Sequence, residues 1–330
     1  MFSAIYIENA VRQHPRAKAI CERFPDIPQV SIERYGEVFN RKAQNFRLQK
    51  QFPALILANK HDNHVLKAPD SYGFGGKHNY YFSHMMNCIY DCRYCFLQGM
   101  YRSAHYVLFV NYEDFESALK DKMNINTNNG CNFYSGYDCD SLALEPISQF
   151  SDFILPLFQQ HPGAVLELRT KSTQIRSLLD REPIENVVVA YSFTPDKVSQ
   201  ALEHKVPKLE KRLQAMMKLQ ERGWKVGLRF EPVMYESAYR ENYLALFETI
   251  FAMLNAEQLH SVSLGMFRMP DNFFKNIVKL YPDEKLFAGP LKIQQGLATY
   301  QEEIENEVLH FCRQALLRYI PQSIYYTCTD

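Results

Sequence analysis

Between about residue 78 and residue 268, short apolar runs alternate with amphipathic stretches, the pattern of βα units feeding a parallel sheet. Strands are predicted over 80–85, 106–110, 132–135, 165–168, 186–193, 226–230 and 261–266. The helix between the fifth and sixth of these is the clearest. Leu209, Leu213, Met216, Met217 and Leu219 make one apolar stripe, Pro207 suits a first-turn position, and Arg222-Gly223 supplies a terminal charge and a stop. This methionine stripe reads as core packing.

On either side the pattern changes. The first 77 residues alternate short helical and extended signals and read as a layer packed on the main unit. Residues 269–330 carry an amphipathic segment over 273–280, breaks at Pro282 and Pro290, a long helix over 300–319 and a closing strand over 323–326. The expected organisation is an N-terminal layer (1–77), an α/β unit (78–268) and a helical cap with a closing strand (269–330). Such a string of units fits a doubly wound sheet or a complete or partial barrel, and periodicity does not choose among them. In either architecture the working groups sit at the C-terminal ends of strands.

With 46% apolar residues in 330, the chain can bury a substantial core. No run approaches the roughly 20 apolar residues of a membrane-spanning helix. The start lacks a basic n-region or cleavage pattern, so a cytoplasmic location is expected. Lysine plus arginine balance the acids at 37 each, and the field of the whole protein gives no support to avid nucleic-acid binding. Arg41, Lys42, Arg47, Lys50, Lys60, Lys67 and Lys77 leave room for a local basic face. The glycine-rich stretch 71–77 lacks the spacing of a phosphate-cradling loop and reads as a flexible lead into the first strand of the unit.

Eight cysteines, three of them clustered, do not resemble a disulfide framework. Cys21, Cys131, Cys139, Cys312 and Cys328 read as small buried hydrophobes unless their surroundings argue otherwise. Cys88, Cys92 and Cys95 stand at C-x3-C-x2-C, and three thiolates so close invite a soft metal. A four-iron cluster normally takes four cysteines, so three local ones would leave one iron open to a further ligand. The rival is zinc, with His84 completing a Cys3His site; buried free thiols are the third reading.

The C-x3-C-x-aromatic-C string, with Tyr94 as the aromatic, resembles the signature of radical S-adenosylmethionine enzymes. The longer Cys-Ile-Tyr-Asp-Cys-Arg-Tyr-Cys-Phe-Leu-Gln-Gly resembles the spore photoproduct lyase family. Asp140-Ser-Leu-Ala-Leu144, Arg169-Thr-Lys171, Tyr191-Ser-Phe-Thr-Pro195, Gly227-Leu-Arg-Phe-Glu-Pro232, Ser263-Leu-Gly-Met-Phe-Arg268 and the terminal Ile324-Tyr-Tyr-Thr-Cys-Thr-Asp330 fall in that family's order. The resemblance implies a partial (β/α)6 barrel in which Cys88, Cys92 and Cys95 hold a 4Fe-4S cluster. The open iron would chelate S-adenosylmethionine, and reductive cleavage would yield a 5′-deoxyadenosyl radical that abstracts hydrogen from substrate. It also implies an electron donor such as flavodoxin or ferredoxin, and a DNA photolesion as a substrate candidate.

Carried over residue by residue, Lys171 matches the cofactor-binding lysine and Ser192 a serine that bonds the methionyl group. Asp140 or Ser141 stands beside the methionine amine, and Tyr94 packs on the cluster with an edge toward the cofactor. The hydrogen relay departs from the family. Tyr137 stands where the spore enzymes carry the donor cysteine, Cys139 follows two residues later, and Phe96 replaces a relay tyrosine. This favours a broader branch of the family over the spore enzyme proper, with Cys139 as the candidate donor. A radical S-adenosylmethionine enzyme on a non-DNA substrate, and a zinc-stapled nucleic-acid-binding protein without catalysis, are the alternatives. Arg229, Glu231 and Arg268 end predicted strands and either face the substrate or form buried pairs, and Cys328 is a second, weaker donor candidate.

Overall fold

The computed structural model describes residues 2–69, 73, 78–125 and 130–327. Six parallel strands form its central sheet: β1 (Asn79–Phe82), β2 (Cys131–Ser135), β3 (Ala164–Thr170), β4 (Val187–Ser192), β5 (Lys225–Val233) and β6 (Leu259–Met266). They neighbour one another in chain order and curl into a partial barrel, as the family resemblance implies. Leu66–Lys67 adds an antiparallel edge outside β1, and Tyr325–Thr327 a parallel one outside β6. β4 reads Val-Val-Val-Ala-Tyr-Ser and is buried throughout, as a β-branched run must be when both faces of a parallel sheet are covered.

A second sheet stands beside the barrel in the order Gln29–Ile32, Ile5–Glu8, Leu55–Ala58, Tyr106–Phe109, all parallel, closed by Met85–Met86 antiparallel. The strand predicted over 106–110 therefore belongs to this sheet and not to the barrel. Tyr-Val-Leu-Phe is buried at every position, and such a run suits the interior of either sheet. The strand predicted over 80–85 is likewise two pieces: β1 ends at Phe82, and the chain crosses to the second sheet at Met85. Residues 83–105, which include the three clustered cysteines, are thus strung between two sheets.

The helix Leu209–Arg222 forms as its stripe predicts, and Gly223 ends it in the left-handed region (φ 96°). Pro207 lies ahead of the first helical residue and not within the first turn. Beyond the barrel, Arg268–Pro270, Leu291–Gln294 and Leu297–Tyr300 make a small antiparallel sheet that the sequence pattern did not announce. The long helix begins at Glu302 and ends at Leu316, because Tyr300 is spent on the hairpin strand. The predicted closing strand starts late, at Tyr325, after a short turn over Gln322–Ile324. Among the described residues no helix is long and apolar enough to cross a membrane.

Candidate active site at the barrel mouth

The cysteine loop is fixed from three sides. At its base Asn87, in the left-handed region, donates from Nδ2 to the carbonyls of Ser103 (2.7 Å) and His105 (2.8 Å). On the barrel side Asp91–Cys92 pairs antiparallel with Glu203–His204, and Arg93 N–H donates to Leu202 O at 2.8 Å. From the N-terminal layer Lys50 Nζ donates to the carbonyls of Cys88 and Tyr90, each at 3.2 Å. Downstream, Gly99 lies so close to the cap helix Asp271–Leu280 that a Cβ there would stand 2.2 Å from Phe273 O, and Asn276 donates to Gly99 O at 2.9 Å.

The loop closes over a cavity of about 340 Å³ at the C-terminal ends of β2 to β6. Cys88, Cys92, Cys95 and Tyr94 line one wall. Tyr137, Cys139 and Asp140 enter after β2, Arg169 to Lys171 from the end of β3, Ser192 from β4, Glu231 from β5 and Arg268 after β6. Gly136 makes the turn out of β2 at φ 83°, where a Cβ would meet Ser141 Oγ at 2.6 Å. The predicted site residues therefore converge, with one exception. Ser141 is buried behind the wall, its Oγ donating to Ser135 O (2.9 Å) and its N–H to Arg169 O (3.1 Å), so it ties β2 to β3.

Asp140 accepts from four donors: Leu142 N (3.0 Å), Ala143 N (2.9 Å) and Thr170 Oγ1 (2.7 Å) on Oδ1, and Lys171 N (2.7 Å) on Oδ2. Burial raises its pKa, and these bonds oppose the rise. The carboxylate thus clasps the chain that presents Lys171. Lys171 Nζ lies 4.0 Å from Glu203 Oε1 and 5.7 Å from the centre of the Tyr94 ring. Tyr94 donates its phenolic hydrogen to Glu203, whose other oxygen accepts from Arg212 at 2.8 Å and Ser199 at 2.7 Å. Arg212 also donates to Ser192 O at 2.9 Å. One fully buried ion pair, Glu203–Arg212, therefore holds the aromatic of the cysteine loop and the end of β4 in register. Burial would raise the Glu203 carboxyl, but Arg212 and Lys171 hold it below the usual carboxylate range.

Burial pushes all three loop thiols up, Cys88 to about 12 with Asp140 adding to the effect, while Lys171 pulls Cys92 and Cys95 back. Lys171 and Lys50 only partly offset that burial, and a bound metal would supply further positive charge and deprotonate the thiols. The geometry separates the metals. A tetrahedral zinc with bonds of about 2.3 Å needs its sulfurs roughly 4 Å apart, and among the described residues no three His, Cys, Asp or Glu side chains converge to hold one ion. His84, the zinc reading's fourth ligand, is instead buried flat against Phe150 at 4.1 Å, with burial lowering its pKa to about 3. A four-iron cluster would give each cysteine its own iron, so three cysteines suit a cluster with one iron left open, whereas His84, packed on Phe150, does not close a Cys3His zinc site.

The opposite wall is aromatic. Tyr137, 42% exposed, packs its ring at a tilt against Tyr81 (4.5 Å) and against Phe96 of the cysteine loop (5.4 Å). Cys139 is buried behind it at the cavity edge. The strand-end charges divide. Glu231 lines the cavity and accepts from Arg169 at 2.8 Å and from Ser263, whereas Arg229 is fully buried against Glu167 at 2.7 Å and does not reach the substrate space. Arg268 lines it. Cys21, Cys131 and Cys312 are buried as expected, and Cys328 lies outside the described residues.

Sequence reasoning missed Glu203 and Arg212, and it counted Lys50 toward a local basic face, whereas that side chain is buried on the cysteine-loop carbonyls. Arg212 was legible in part: it falls on the apolar stripe, three residues after Leu209 and four before Met216, where a charge must find a buried partner.

Comparison with known proteins addresses the chain as a whole. The family model described as spore photoproduct lyase matches residues 3–323. A spore photoproduct lyase of Bacillus subtilis (strain 168) is 24% identical over 241 residues, covering 71% of this chain and 70% of that protein. One from Geobacillus sp. (strain Y412MC61) is 21% identical over 246 residues, covering 72% of each. Among solved structures, a spore photoproduct lyase variant with bound AdoMet and dinucleoside spore photoproduct superposes with a TM-score of 0.87 at 17% identity, over 100% of this chain and 98% of that one. A spore photoproduct lyase complexed with dinucleoside spore photoproduct gives 0.86 at 16%, with the same coverage. With three clustered cysteines at the mouth of a partial barrel and a family match spanning nearly the whole chain, the protein belongs to the spore photoproduct lyase family.

Proposed function

We propose that the protein is a radical S-adenosylmethionine enzyme that repairs a DNA photolesion. The observation that carries this reading is the convergence of Cys88, Cys92 and Cys95 with Asp140, Lys171 and Ser192 on one cavity. In this reading the three cysteines hold a 4Fe-4S cluster. Bound there, cluster and S-adenosylmethionine supply one-electron cleavage of the cofactor and abstraction of a substrate hydrogen. The Lys171 ammonium meets the methionyl carboxylate as a point charge, and the Ser192 hydroxyl hydrogen-bonds the same group. Asp140 holds the Lys171 backbone and offers its Oδ2 edge to the amine. Tyr94, fixed by Glu203, packs on the cofactor side of the loop.

On the substrate side, Tyr137, Tyr81 and Phe96 offer stacking faces to exposed bases, and Arg268 offers positive charge to the backbone. Cys139 is the hydrogen donor: its S–H bond breaks homolytically as a C–H bond forms on the substrate radical, leaving the thiyl on Cys139. A flavodoxin or ferredoxin supplies the electron.

The test is anaerobic reconstitution, then incubation with S-adenosylmethionine, reductant and either dinucleoside spore photoproduct or irradiated oligonucleotide. Formation of 5′-deoxyadenosine together with released thymines is the expected result. A fully loaded protein that cleaves the cofactor but leaves both lesions intact would reject the DNA substrate. Phe96, which has no phenolic hydrogen to relay, favours the second reading: a broader branch of the family acting on a different substrate.

A further inference from the structure

Behind the cysteine loop, on the face away from the cavity, lies a cation that none of the assigned roles uses. Lys50 ends the short helix Phe46–Gln51 of the N-terminal layer, yet its side chain turns inward and is 7% exposed. Among the described residues its ammonium meets no carboxylate. It donates to the carbonyls of Cys88 and Tyr90, at 3.2 Å each. The acid that most favours its charged form, Asp91, is already paired with Arg93 at 3.0 Å. A second cation stands in line, since Lys205 Nζ donates to Lys50 O at 2.9 Å from a residue held in the left-handed region at φ 62°.

A buried ammonium without a carboxylate is costly unless another negative charge faces it. Here that charge is on the loop itself. Resting on the proposed function, three metal-bound thiolates would lie just beyond the two carbonyls, and one-electron reduction adds a further negative charge to that centre. Cluster potentials respond to net charge and to hydrogen bonding around the sulfurs, and the Tyr90 N–H donates to Cys88 Sγ at 3.4 Å from within the same turn.

We infer that Lys50 is a positioning residue that sets the reduction potential of the cluster. Its positive charge, opposed by burial and by Lys205 but favoured by Asp91 and the loop thiolates, stabilises the reduced form over the oxidised one and makes the electron easier to accept. The step is a one-electron reduction by the external donor, and no proton moves.

The experiment is an anaerobic redox titration followed by electron paramagnetic resonance, on reconstituted wild type and on Lys50→Met, Lys50→Gln and Lys50→Arg. In Lys50→Met and Lys50→Gln at wild-type iron content, the reduced fraction should need at least a tenfold more reducing poise, about 59 mV for a one-electron couple. Lys50→Arg should stay near wild type. Neutral variants that load iron and keep the wild-type potential would overturn the inference while leaving the enzyme reading intact. So would a series in which neither neutral variant holds iron but Lys50→Arg does, because the ammonium would then be a structural staple only. Failure of the wild type to take up iron would instead defeat the proposed function itself.

Discussion

The two walls of the cavity are built on different principles. The cysteine wall is held by buried charge: Glu203–Arg212 grips Tyr94 and the end of β4, and Lys50 grips two loop carbonyls. The facing wall, with Tyr137 and Cys139, is held by a glycine turn and by the ring contacts of Tyr137 with Tyr81 at 4.5 Å and with Phe96 of the cysteine loop at 5.4 Å. Buried ion pairs tolerate few substitutions, because losing one partner strands the other. Ring contacts tolerate many. The cysteines, Lys171 and Ser192 match the family's residues, and the chain departs from the family at Tyr137 on the facing wall and at Phe96, the loop residue whose ring meets it.

Substitutions can break that contrast. The largest effect should come from Cys88→Ala, which should lose bound iron and take 5′-deoxyadenosine formation to background, as read by iron content and product chromatography. Next is Arg212→Met, which leaves Glu203 buried without its cation and should cost about 3–5 kcal/mol of stability by chemical denaturation. Adding Glu203→Gln should recover part of that loss; no recovery would show that the pair is not the unit that matters. Cys139→Ala should leave 5′-deoxyadenosine formation intact while repaired product falls at least tenfold, and unchanged product would reject its donor role. Tyr137→Ala removes one stacking face, worth about 1–3 kcal/mol per base, and should raise KM severalfold with little change in stability.

A pH measurement sharpens the comparison from the barrel floor. Burial opposes ionisation of Glu167, but Arg229 and Arg169 hold its pKa down to about 2. A depressed carboxylate contributes stability that is fully present above its unfolded value, about 4.3, and is lost as pH falls through the folded value. Glu167→Gln should therefore flatten the acid limb of the stability curve between about pH 4.5 and 2, and an unchanged limb would exclude this pair as its source.

The central strands were legible because they are apolar runs at regular spacing, the partial barrel only through the family resemblance, and the cysteine loop because ligand spacing is local. What was not legible is long-range. Tyr106–Phe109 gives no sign of which sheet it joins, since a buried strand looks alike in both. The hairpin Leu291–Tyr300 has short, half-exposed strands without strong alternation. Glu203 sits in a two-residue strand whose partner is the cysteine loop itself, and no window of sequence spans both. Zinc looked open from Cys88 and His84 alone, and only the packing of His84 on Phe150 removes it.

That two-residue pairing bears on how the protein is made. Tyr94 and Glu203, joined by a hydrogen bond, are 109 residues apart in sequence. At roughly 5–20 residues per second of synthesis, about 5–20 seconds pass between their emergence from the ribosome. Throughout that interval the three thiols have neither the backbone partner nor the buried carboxylate that fixes their loop. In the proposed reading the loop is ready for its cluster only once Glu203 has emerged, and nascent chains halted before Glu203 should leave Cys88, Cys92 and Cys95 open to alkylation.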